Sequence, residues 1–256
     1  MNGLLLVVFF ILGLSIGSFL NVVIYRLPRR IPFFRLGERS RCPFCKKELE
    51  TRDLIPVVSF IFLHGKCRHC KKHISWQYLI VELVTALAFT ALFFSYGFTL
   101  PLLVGCVAVS FAIPIIVIDA RHKIVPDALS IPFIGSSLIL GLLTIHPWYG
   151  VFIGGAIGFL FFLLQWVVSK GKWIGSGDIR LGLGMGLLLG WEFLLVALAL
   201  AYFSGTLFAI ILLARKKKKL KATIPFGPYL LMAMLVALFF GARIIEWYLA
   251  IYIYPI

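Results

Sequence analysis

The chain has 256 residues, of which 61% are hydrophobic and only 14% charged, and its formal net charge is +15. A soluble domain carries about 25% charged residues, so this composition could not cover a water-facing surface, and it argues against a secreted or cytosolic globule. The apolar stretches run continuously, which argues against a transmembrane barrel, and the basic residues gather between them, which is how a membrane protein records orientation rather than how a protein binds nucleic acid.

A bilayer-crossing helix needs about 20 apolar residues. Residues 3–25 make the first span, with Gly13 and Gly17 forming a G-x-x-x-G that allows close helix packing. Arg26, Arg29 and Arg30 follow at once, which places the N-terminus outside and the end of this span in the cytoplasm. Residues 26–77 are polar, with 13 Lys/Arg against 4 Asp/Glu, and predict a small cytoplasmic domain. Further spans read as 78–96, 100–118, 128–146, 150–168, 180–190, 193–213 and 229–249. The sixth is short and glycine-rich, and the break after it falls at Gly190-Trp191-Glu192. The loops 26–77, 119–127, 169–180 and 214–228 then share one side and hold 24 of the 25 Lys/Arg, leaving only Arg243. The run Arg215–Lys219 reads as a cytoplasmic anchor. No internal repeat is evident. The predicted fold is an all-α polytopic membrane protein of about eight transmembrane helices, with a small zinc-ribbon-like insertion after the first.

The polar segment contains Cys42-Pro43-Phe44-Cys45 and Cys67-Arg68-His69-Cys70, with 21 residues between the pairs. Each C-x-x-C puts two thiolates on one turn, and two such turns make a tetrahedral four-sulfur site. A domain of this size has little core of its own, so a metal staple is physically useful. Disulfides are disfavoured by the cytoplasmic placement. Structural zinc on Cys42, Cys45, Cys67 and Cys70 is the expectation, and four cysteines leave no open position for catalysis. His64, His69 and His73 read as surface residues, and Cys106 as a buried apolar one.

Two acids flank the later spans. Asp119 ends the third, in Ile118-Asp119-Ala120-Arg121-His122, and Asp178 opens the sixth, in Gly175-Ser176-Gly177-Asp178. Two spans separate them, so both return to the same membrane face, where carboxylates are costly and point to function. A facing pair shares one proton, which is the requirement for aspartic peptide hydrolysis. Gly175 and Gly177 would clear side chains from the approach of a peptide backbone. The alternatives are that Asp178 only caps its helix and that Asp119 pairs with Arg121 or Lys123. Asp127, in Val125-Pro126-Asp127, reads as an N-cap.

These motifs, in this order, resemble those of the bifunctional type IV prepilin leader peptidase/N-methyltransferase family over nearly the whole length. The remaining pieces are Gly17-Ser18-Phe19-Leu20-Asn21, Arg39-Ser40-Arg41 before the first cysteine pair, Asp53-Leu54-Ile55-Pro56, Gly65-Lys66 before the second, Val81-Glu82-Leu83, and Ile224-Pro225-Phe226-Gly227-Pro228. The resemblance implies that Asp119 and Asp178 are catalytic and that the protein sits in the bacterial inner membrane. It implies removal of the short basic leader of prepilins and pseudopilins at the cytoplasmic face. It also implies N-methylation of the new terminus with S-adenosylmethionine as donor, with Gly65 in the segment linked to methylation. Residues 26–77 would then be the four-cysteine domain linked to methyl transfer, and 78–256 the peptidase. Glu82, near the cytoplasmic end of the second span, could hold the new ammonium terminus. Two alternatives remain at this point. Intramembrane aspartic proteases of the presenilin kind typically carry Tyr before the first aspartate, where this chain has Ile118. An ion- or proton-coupled transporter would use Asp119, Asp178 and Glu82 as its path.

Overall fold

In the computed structural model the described residues are 2–31, 40–145, 147–214 and 225–253. Arg39, the Arg215–Lys219 run and Ile224 lie outside them. Among the described residues the protein is helical, with no strand beyond two isolated bridges. Among the described residues seven helices are long and apolar enough to cross a membrane. Their outer faces carry exposed Leu, Ile, Val, Phe and Trp side chains, the reverse of a soluble surface and the arrangement lipid requires. Packing divides the chain into two compact units, Met1–Pro114 and Ile115–Ile256.

The first unit is built on α1 (Asn2–Arg26) and α3 (Trp76–Tyr96). Side chains at Gly13 and Gly17 would press into the α3 backbone, with a Cβ lying 2.5 Å from Ala86 Cα and 2.7 Å from Glu82 Cα respectively. The G-x-x-x-G therefore does what its pattern predicts. Phe9 stacks on Phe93 at 4.4 Å between ring centroids. At the other end Asn21 donates to the Tyr78 carbonyl, and Gln77 donates to Asn21. Between the two helices lies the polar insert, which contains the one-turn helix α2 (Val58–Phe62). The first half of α4 (Leu100–His122) also belongs to this unit, and the half-buried Cys106 sits there among apolar residues.

The second unit takes the end of α4, then α5 (Asp127–Thr144), α6 (Tyr149–Ser169), α7 (Ser176–Ala214) and α8 (Gly227–Ile253). At 39 residues, α7 would be nearly 60 Å long if straight, about twice the hydrocarbon thickness. It is not straight. Gly190 has φ 72° and ψ 176°, a conformation open essentially to glycine alone. A straight helix would hold Gly182 and Leu194 about 18 Å apart. Yet a Cβ on Gly158 of α6 would meet both, the Gly182 carbonyl carbon at 2.7 Å and Leu194 Cδ2 at 3.4 Å. The chain folds back at Gly190 into a short arm, 176–189, and a long arm, 191–214. The two arms fall where the sixth and seventh spans were expected, although the described residues form seven long apolar helices rather than eight.

Candidate functional site

Three acids are buried as whole residues among those described: Glu82, Asp119 and Asp178. They are the three that the sequence singled out, and the last two belong to the second unit. The helix α4 continues past the expected end of its span, so Asp119 lies in its last turns rather than beyond them. Its Oδ2 accepts a hydrogen bond from the Gly227 backbone N–H at 3.0 Å. This explains Gly227, because a Cβ there would lie 2.7 Å from the same oxygen. The Gly227 N–H at the start of α8 thus meets a carboxylate, as helix N-termini favour.

Asp178 sits in the first turn of α7, where its Oδ2 accepts from the Gly175 N–H at 3.1 Å, a reciprocal cap of the helix start. Capping and a place in the site are therefore not exclusive. The two glycines beside it differ. A side chain at Gly175 would meet only Asp178 and backbone at 3.9 Å, so that edge is open, whereas one at Gly177 would strike Val125 Cβ at 2.6 Å. Gly175 leaves space beside the Asp178 carboxylate. Gly177 lets the loop before α5 pack against the start of α7.

Asp119 and Asp178 lie within electrostatic reach of one another. Asp178 is likewise felt by Tyr202 on the long arm of α7. Tyr202 donates its hydroxyl hydrogen to Gln165 at 2.8 Å, and its ring meets Phe226 edge-on at 4.9 Å. Phe226 precedes the glycine that holds Asp119. The end of α4, both arms of α7 and the start of α8 thus converge on one acidic site. Sequence reading missed Tyr202, Gln165 and the Gly227 N–H. The Pro-Phe-Gly-Pro run beside the last helix was visible in the sequence, but nothing in it signalled that a backbone donor would be used.

Asp127 corrects an expectation. Pro126 occupies the N-cap position of α5 and Asp127 is the first helical residue, making no cap hydrogen bond. Its carboxylate pairs with Arg180, which also reaches Ser130. Proline's fixed φ suits the helix boundary, and the nearby guanidinium outcompetes a backbone N–H for the carboxylate.

In the insert the four sulfurs of Cys42, Cys45, Cys67 and Cys70 all lie within 4.8 Å of one another, and Cys42 and Cys70 are 3.9 Å apart. A tetrahedral zinc with 2.3 Å bonds would set neighbouring sulfurs roughly 3.8 Å apart, so this donor set fits zinc with little movement. The two halves are the same turn. Each first cysteine donates its N–H five residues ahead, Cys42 to Lys47 and Cys67 to Lys72, and receives one from Lys46 or Lys71. Lys46 and Lys71 both adopt positive φ, 61° and 59°. A Cys-x-x-Cys-Lys-Lys repeat underlies this, contrary to the expectation of no internal repeat. It is too short to register as a periodic pattern. The Cys70 N–H and other nearby donors draw the Cys67 thiol down to about 7. For Cys45 the Lys47 N–H acts downward, but burial and the neighbouring thiols outweigh it and push the thiol up to about 11. A metal bound through the Cys45 thiolate would have to displace its proton.

The insert is fastened at two points. Arg68, between the second pair of cysteines, bonds Asp53 at 2.7–2.8 Å. Burial acts upward on the Asp53 carboxyl, but Arg68, the Glu50 N–H and the Arg52 charge hold it below the usual range. The second point is Glu82, whose Oε2 accepts from the Val57 N–H at 2.8 Å. Val57 has φ 62° and ψ −50°, and Val58 N–H bonds Pro56 O at 2.6 Å, a γ-turn of the strained hand. For a β-branched residue this conformation costs about 1–3 kcal/mol and persists only where the surroundings impose it. Gly65, at φ 66°, closes the far end of α2, where a Cβ would lie 3.1 Å from the Phe60 ring.

The fold and sites define a multi-pass helical membrane protein that carries an acidic site among helix ends and a four-cysteine insert after its first span. Residues 11–96 match the bacterial peptidase A24 N-terminal domain, and residues 106–210 match the type IV leader peptidase family. The prepilin leader peptidase/N-methyltransferase of Bacillus subtilis (strain 168) is 33% identical over 250 residues, covering 96% of this chain and 98% of the relative. That of Pseudomonas aeruginosa PAO1 is 34% identical over 278 residues, with 93% and 91% covered. That of Legionella pneumophila is 29% identical over 263 residues, with 93% and 92% covered. No solved structure matches the chain significantly. The chain belongs to the prepilin leader peptidase/N-methyltransferase family.

Proposed function

We propose that this protein removes the leader peptide of type IV prepilins and pseudopilins and then N-methylates the new amino terminus, with S-adenosylmethionine as donor. The observation that carries the peptidase half is that Asp119 and Asp178 are both buried and within electrostatic reach of one another, inside the segment that matches the leader peptidase family. The transporter alternative finds no support among the relatives' names. A presenilin-type protease has no counterpart to the four-cysteine insert.

The chemistry follows from the pair. Two close carboxylates share one proton. The ionised member takes a proton from water, whose oxygen attacks the scissile carbonyl, while the protonated member donates to the carbonyl oxygen. Collapse of the tetrahedral species returns a proton to the leaving amine. Gly227 N–H and Gly175 N–H orient the two side chains, and the open edge at Gly175 admits the substrate backbone. A prepilin's apolar helix lies in the bilayer, so its scissile bond reaches the headgroup level. The distribution of 24 of 25 Lys/Arg in four loops supports an N-terminus outside, with both sites cytoplasmic.

Methyl transfer is assigned in this reading to the N-terminal domain with its insert, and the leader peptidase match, which begins at residue 106, is consistent with that division. Cys42, Cys45, Cys67 and Cys70 would hold a structural zinc that supplies folding energy to a segment too small to build a core. The test is mass spectrometry of a pilin substrate's N-terminus after incubation with the protein in bilayer. A shortened chain whose new terminus gains one methyl mass when S-adenosylmethionine is added is expected. An intact leader would overturn the peptidase reading, and a cut but never methylated product would overturn the second.

A further inference from the structure

The polar anchor at the base of the insert contains a carboxylate that the peptide-cleaving site does not use. Glu82 is 7% exposed. Its partners are the Val57 N–H and the Ser18 hydroxyl, both neutral. Among the described residues no cationic side chain forms an ion pair with it. Cations are not scarce, since residues 26–77 alone carry 13 Lys/Arg. A buried carboxylate normally carries a cationic partner or a full set of donors. Two neutral donors leave part of the roughly four acceptor positions of this group unfilled.

The surroundings keep it that way. Gly17 brings α1 against the Glu82 Cα, and Val57 accepts a strained turn in order to point its N–H at Oε2. We propose that Glu82 is a binding residue for an organic cation, namely the α-ammonium that leader removal creates at the front of the mature pilin. A primary ammonium offers three donors and one charge, which complements the unfilled part of this carboxylate. This rests on the N-terminal domain being the methyltransferase, and it names the group that holds the methyl acceptor. The sulfonium donor shares the positive charge but has no N–H at its reacting centre, so the two cations can be told apart.

The experiment uses the full chain in nanodiscs and a fluorescent peptide with the sequence of a mature pilin N-terminus, prepared with a free or an acetylated amino group. Wild type is expected to bind the free-amine peptide at least tenfold more tightly, and Glu82→Gln to abolish that preference. Glutamine keeps a carbonyl for the Val57 N–H, so the turn survives while the charge is lost. S-adenosylmethionine binding, measured separately, should be unchanged in E82Q. The proposal is overturned if E82Q keeps the free-amine preference, or if it loses donor binding instead. Should E82Q lose its far-UV circular dichroism or its bound zinc, Glu82→Asp becomes the readout. A folded E82D that retains the preference supports the proposal, and one that loses it sinks it. No methyl donor enters the peptide assay, so the absence of methylation by wild type would count against the methyltransferase reading alone.

Discussion

The insert and the acidic site hold polar groups in fixed positions by different means. In the insert all four sulfurs come from two copies of one short turn, Cys-x-x-Cys-Lys-Lys, and each copy is organised by its own backbone hydrogen bonds. In the second unit the acids come from distant helix ends, and each leans on a glycine N–H, Gly227 for Asp119 and Gly175 for Asp178. The first site is assembled from local turns whose sulfurs fit a metal. The second exists only when α4, α7 and α8 are packed. One should therefore fail on losing an ion, the other on losing a close approach between helices.

The largest break in that contrast comes from the acids themselves. Asp119→Asn or Asp178→Asn should lower leader cleavage by at least about a thousandfold, near 4 kcal/mol of barrier, with zinc content unchanged on metal analysis. Chelation should act on the other side. Bound structural zinc supplies about 10–16 kcal/mol of apparent folding energy in small domains, so its removal should expose residues 40–75 to hydrogen exchange before any helix of the second unit. Uniform loss of protection across both units would contradict the separation. A finer cut is Gly227→Ala. Its Cβ would sit 2.7 Å from the Asp119 carboxylate, and cleavage should fall roughly 10–100-fold, about 1.4–2.7 kcal/mol, while hydrogen exchange in the insert stays as in wild type. The smallest effect belongs to Asp127→Ala. With its side chain 67% exposed and its partner Arg180 32% exposed, the lost ion pair should cost no more than about 1 kcal/mol in chemical denaturation.

Much of the fold was legible because membrane helices advertise their length and composition. Even the reversal at Gly190 fell at an expected break, although the two arms merge into one long helical stretch. The cysteine site was legible because both halves are local. The acids could be placed on one membrane face by counting spans, but not brought together, since that depends on which helices pack. Asp127 was misread because an N-cap preference is a local signal, and Arg180 acts from another helix. Glu82 was visible as an acid near the end of a span, yet its hold on a strained Val57 depends on a positive φ that no β-branched residue announces.

The proposed peptidase chemistry requires Asp119 and Asp178 to act as one unit. The most direct measurement compares cleavage rates of the single Asn variants with that of the double variant, using the same pilin substrate in bilayer. If the acids share one proton and one water, the second substitution adds little, and the double variant cleaves about as slowly as either single one. If the two losses multiply, the carboxylates work independently and the shared site is wrong.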